Sequence, residues 1–147
     1  MQRLARGAGI VIAALWVVAG SDARAELFSK AYAFKPDTIL EVGTEMPGGL
    51  RLDTVEFVLP KDGEQGGLFG GPKVKVGISN LGDRAVKIGV ALAVTDADGR
   101  LVGVAGGGTK LFPVRADRAI VYTLAINGVR SELASGTVFR ISVEPTP

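Results

Sequence analysis

Five apolar residues fall on alternate positions between 86 and 94: Val86, Ile88, Val90, Leu92 and Val94. A strand sends successive side chains to opposite faces, so this spacing specifies a β-strand with one buried side and excludes an amphipathic helix. The same period recurs at Val74, Val76 and Ile78, at Ile120, Tyr122, Leu124 and Ile126, and at Phe139, Ile141 and Val143. Leu50 and Leu52 alternate, and Val55, Phe57 and Leu59 alternate in the opposite phase. A change of phase by one residue is what a bulge at Asp53-Thr54 produces. Leu101 to Val104 and Thr109 to Val114 are shorter strand candidates, with Gly106-Gly107-Gly108 interrupting them. Turn signals separate the runs, with Asn80-Leu81-Gly82-Asp83 and Asp96-Ala97-Asp98-Gly99 the clearest. About seven short strands with turns at roughly ten-residue spacing predict an all-β, immunoglobulin-like antiparallel β-sandwich.

The first 25 residues follow a different rule. Arg3 and Arg6 precede an uncharged, mostly apolar stretch from Gly9 to Gly20, and Ala23-Arg24-Ala25 supplies an A-x-A cleavage site. This order predicts a signal peptide over 1–25, cleaved after Ala25. The 12-residue apolar stretch is short against the roughly 20 residues a membrane-spanning helix needs, so no integral membrane anchor is expected. A periplasmic or secreted location follows. Residues 26–49 read as an irregular N-terminal segment, with Ile39 to Val42 the one short strand candidate, and residues 50–147 as the sandwich domain.

Removing the leader changes the charge balance. The whole chain has 17 basic and 15 acidic residues, and the leader carries Arg3, Arg6, Arg24 and Asp22, so the remaining 122 residues hold 14 of each. Nucleic-acid binding needs a surplus of cations to displace counterions, so no nucleic-acid partner is expected. The chain contains no His and no Cys. Triad catalysis, zinc sites of the usual kind and covalent haem are therefore outside its reach, no cofactor or metal is expected, and the fold must be held by packing without disulfides. The carboxylates are scattered and mostly in turns, so the chain is read as a non-enzyme.

The segment VGISNLGDRAVKIGVALAVTDADGRLVG resembles immunoglobulin-like domains of the FxLYD type. The matching residues are Asn80 and Gly82, then Leu92 and Asp96, then Asp98-Gly99 with Leu101 and Val102, within residues 72–126. Val94-Thr95 stands where that family has Leu-Tyr, and no Phe occupies the position of Val90 or Leu92. The resemblance implies an interaction or spacer module of the cell envelope and carries over no catalytic residue.

Three features invite a site. Asp96 and Asp98 in a turn suggest calcium, but aligning Gly99 with the sixth position of an EF-hand puts Val94 first and Ala105 twelfth, neither a ligand, so the hairpin turn is the reading, with a weak calcium site as its alternative. Leu68-Phe69, between two Gly-Gly pairs, either plugs one end of the sandwich or projects as an apolar anchor for a protein or lipid surface. The third is a face. If the apolar positions of 86–94 and 120–126 point inward, Gly89, Ala91, Ala93, Val121, Thr123 and Ala125 point outward, and immunoglobulin-like topology is expected to make these strands neighbours. That smooth, uncharged patch calls for a cover, either residues 26–49 in cis or another chain. The expectation is a protein–protein interaction module of the cell envelope whose partner is an unidentified protein or a second copy. The alternatives are a self-assembling structural subunit and a binder of small ligands or glycans, the last weakened by a mature chain whose only Tyr or Trp residues are Tyr32 and Tyr122.

Overall fold

The computed structural model describes residues 26–61, 70–127 and 133–146. The expected leader at residues 1–25 and the Leu68-Phe69 dipeptide lie outside them. The chain forms eight strands: β1 (Phe28–Ala33), β2 (Ile39–Met46), β3 (Leu50–Val58), β4 (Lys73–Asn80), β5 (Lys87–Thr95), β6 (Leu101–Gly108), β7 (Arg118–Ala125) and β8 (Val138–Thr146). They make two antiparallel four-stranded sheets, β1-β8-β5-β6 (sheet A) and β2-β3-β4-β7 (sheet B). The fold is an all-β sandwich.

The alternating positions fill the space between the sheets. Leu50, Leu52, Val55, Phe57, Val74, Val76 and Ile78 come from sheet B, and Ile88, Val90, Leu92, Val94, Phe139, Ile141 and Val143 from sheet A. The phase change in β3 is a bulge, as its sequence predicts: Leu52 pairs with Ile78, Thr54 pairs with Gly77, and Asp53 is the extra residue. A chain of rings ties the two layers together. Tyr32 stacks on Phe139 at 5.4 Å, Phe139 meets Phe57 edge-on at 5.0 Å, and Phe57 meets Phe34 edge-on at 4.6 Å. Phe57 belongs to sheet B and Phe139 to sheet A, so this cluster crosses the core.

Residues 26–49 are not irregular. They supply β1 to the edge of sheet A and β2 to the edge of sheet B. Their pattern is hidden because both are edge strands. Phe28 and Tyr32 pair with the inward-facing Val143 and Phe139, but Lys30, between them, pairs with Ile141 and puts an ammonium group on the same side. An inward charge is tolerated only at an edge, where its stem reaches water, and it discourages pairing with other chains. The Lys30 ammonium lies 5.4 Å from the centre of the Tyr32 ring.

Two further expectations change. Gly106-Gly107-Gly108 does not interrupt a strand but completes β6, and Thr109 to Val114 is not a strand but a loop with one bridge, Val86 to Val114. The cause lies in the opposite sheet. A Cβ at Gly107 would lie 2.5 Å from Leu124 Cδ2, and one at Gly103 would lie 2.9 Å from Leu133 Cδ1. β6 thus buries only the side chains of Val102 and Ala105, while at Gly103 and Gly107 larger side chains from β7 and beyond already occupy the volume a Cβ would take. A strand with glycine at two inward positions and a shift of register beside Val102 carries no apolar period.

The topology decides what lies beside what. β4 and β7 are neighbours in one sheet, β5 and β8 in the other, the interleaving of an immunoglobulin-like sandwich. In such a sandwich the last strand pairs with the one before it. Here β8 is the last strand, and the position beside it is filled by the first, β1.

Candidate functional site

The six residues of the expected patch are not contiguous. β5 lies in sheet A and β7 in sheet B, so Gly89, Ala91 and Ala93 face one side of the molecule and Val121, Thr123 and Ala125 the other. The reason is the interleaving itself: β5 pairs with β8 and β6, and β7 pairs with β4. Residues 26–49 pair along sheet edges instead of lying across either half, with Leu27 alone meeting Gly89 and Ala91 at a shared recess.

The β5 half gains unforeseen neighbours. Ser29, Ser142, Ala91 and Gly106 stand in one row across all four strands of sheet A, and Ala31, Arg140, Ala93 and Val104 form the next. The Ser142 hydroxyl donates to the Ser29 hydroxyl at 3.1 Å, which places both on the outer surface. Beyond them, Gly89 lies between Glu144 and Gly108. A recess of about 220 Å³ opens here, lined by Leu27, Gly89, Ala91, Ser142 and Glu144. The outer face of sheet A is therefore low along β1, β5 and β6, with its charges at Arg140 and Glu144 on β8 and at Lys87 at the start of β5.

The outer face of sheet B is different. Lys75 Nζ donates to Glu56 Oε2 at 3.0 Å, while Arg51 Nε and the Ser79 hydroxyl each donate to the Asp53 carboxylate at 2.6 Å. The bulge turns Asp53 toward both partners. Val121 is 60% exposed on this side, but it belongs to one column on the edge strand beside a charged network.

One end of the sandwich carries a feature that sequence reasoning missed. The segments 81–87 and 109–118 are joined there by reciprocal bonds between Val86 and Val114, at 2.9 and 2.8 Å. Asn80 is the clasp. Its side chain is fully buried, its amide donates to the Arg84 and Val114 carbonyls at 2.7 and 2.9 Å, and its oxygen accepts from Gly82 N at 3.0 Å. On this fixed base Leu111 and Phe112 project, 81% and 83% exposed. Reading Thr109 to Val114 as a strand hid them. The available signal was Pro113 directly after two adjacent apolar residues that do not alternate.

Asn80→Ala is expected to destabilise the domain by about 2–3 kcal/mol, because groups turned toward the clasp lose their partner. Asn80→Asp is expected to be worse, since a carboxylate cannot donate to two carbonyls. Urea unfolding of both variants checks the order, and an aspartate variant as stable as the parent would contradict it.

The Asp96 turn is a hairpin turn in detail. Asp96 Oδ1 accepts from Asp98 N and Arg100 N, both at 2.9 Å, and Gly99 has a φ of 77°. Its carboxylate is engaged with the turn's own amides. Among the described residues no cluster of three or more carboxylates stands ready to hold a metal, and no helix is long and apolar enough to cross a membrane. No protein-family model and no curated protein matches this chain.

Proposed function

We propose that this chain is an exported, non-enzymatic interaction module of the cell envelope that docks a protein partner on the outer face of sheet A. The observation that carries the reading is the contrast between the two outer faces of one sandwich. Sheet B presents the ion pairs and polar side chains of a water-facing surface, whereas sheet A presents Ser29, Ala31, Gly89, Ala91, Ala93, Gly106 and Ser142 in adjoining rows, with Arg140 and Glu144 on β8 as the charges among them. Small side chains let another backbone approach closely, and a patch of this kind with few charges marks interfaces. Export rests on the leader pattern at residues 1–25, and the non-enzymatic assignment on a chain without His or Cys.

The test is a pair of charge substitutions on opposite faces. Ala91→Lys, at the centre of the sheet A face, is expected to weaken partner capture in the native host at least tenfold. Val121→Lys, on sheet B, should leave capture unchanged, and both should melt like the parent. Equal capture by the two variants would reject the sheet A assignment.

One observation favours a second reading, self-assembly by strand exchange. β1 occupies the position of a last strand, and only residues 34–38 separate it from β2 in the other sheet. A neighbouring copy could present the same strand to β8, which is how extended segments add to a sheet edge.

A further inference from the structure

We propose that the end of the sandwich carrying Leu111 and Phe112 docks on an anionic phospholipid surface. Leu111 and Phe112 are the two most exposed large apolar side chains of the described residues. They are adjacent on one exposed loop, followed directly by Pro113 and anchored by the Asn80 clasp at Val114. An exposed apolar pair on an anchored loop suits a soft medium into which it can sink.

The charges around the tip choose the kind of surface. The two joined segments, 81–87 and 109–118, carry Arg84, Lys87, Lys110, Arg115 and Arg118 against Asp83 and Asp117. Lys110 and Arg115 flank the tip in the chain. Lys87 and Lys110 also line a cleft of about 380 Å³ with Gly108, Thr109 and Thr146, open to solvent beside the tip. The two lysines of the cleft suit a phosphate headgroup, while Leu111 and Phe112 suit the acyl boundary below it. Peripheral binding of this kind scales with buried apolar area and with attraction to anionic lipid. A chain with balanced charge after its leader thus concentrates cations where its most exposed apolar side chains are. The cleft borders the sheet A face at Gly89, while Ala91 and Ala93 at the centre of that face lie outside it.

The experiment is flotation of the purified protein with phosphatidylcholine vesicles, with and without phosphatidylglycerol. Binding is expected only when phosphatidylglycerol is present. Each inserted apolar side chain is worth about tenfold in affinity and each cation near the surface about fivefold. Leu111→Ser with Phe112→Ser should therefore reduce binding on the order of a hundredfold. Lys87→Glu with Lys110→Glu should abolish the preference for phosphatidylglycerol. All four positions are surface-exposed, so unchanged melting curves are expected and separate loss of binding from loss of fold. Absence of flotation with either vesicle would overturn the proposal and assign the tip to a protein contact or a second copy, the latter visible as a dimer in sedimentation. Flotation unchanged by the Leu111 and Phe112 substitutions would overturn it equally.

Discussion

Phe57→Ala is expected to cost the domain about 3–5 kcal/mol, the largest loss from any single substitution considered. Phe57 is 1% exposed and lies in β3 at the middle of the ring chain, in edge-on contact with Phe34 on one side and Phe139 on the other. Removing its ring takes away one of the largest buried side chains and leaves a cavity that two rigid aromatic neighbours cannot fill by collapsing. A domain of this kind is held by roughly 5–15 kcal/mol in all, so the variant gives up a large share of it. Phe57→Leu keeps most of the volume and should lose less than about 1.5 kcal/mol. Guanidinium unfolding separates the two, with the midpoint falling and the slope unchanged. A cost near that of an exposed substitution would mean that the ring cluster does not bridge the sheets.

The second large effect is expected from deleting residues 26–33. The truncated chain loses β1, and with it the ladder from Phe28–Val143 to Ala33–Val138. It also loses the half-buried Phe28 and Tyr32, whose removal costs roughly 2–4 kcal/mol and uncovers Phe139. More consequential is the open edge. β8 would present unpaired backbone donors and acceptors beside an apolar inner face, a template for other strands. The expected result is a lower melting temperature together with concentration-dependent association. A synthetic peptide of residues 26–34 should reverse both by refilling the edge in trans. Unchanged melting without association would show that β1 contributes nothing to the sheet. If the peptide rescues the truncated chain but full-length chains never exchange β1 at high concentration, the strand-exchange reading fails and β1 is a cis element alone.

These effects were legible to different degrees. Phe57, Ile88 to Val94, Tyr122 and Phe139 to Val143 declared their buried side by period two alone, since a pleated strand with one wet face leaves no other pattern. The bulge at Asp53 was readable for the same reason, as a phase change, and the Asp96–Gly99 turn from residue chemistry. The candidate site was readable only in pieces. That Gly89, Ala91 and Ala93 face outward followed from the alternation of β5, but their true neighbours did not.

The sequence by itself thus determined the strand type, the inward faces of the regular strands, the absence of His and Cys chemistry, and the positions of the tight turns. These are local properties, carried by spacing within about ten residues. Tertiary structure alone decided that β5 and β7 belong to different sheets, that β1 closes the edge beside β8, that β6 runs on through three glycines, and that Leu111 and Phe112 stand out on a clasped loop. Each of these depends on partners far away in the chain: Val143 for Phe28, Leu124 for Gly107, Val114 for Asn80. Alternation says which way a side chain points relative to its own strand. It does not say which strand lies beside it, because pairing is settled by how all eight strands share one core.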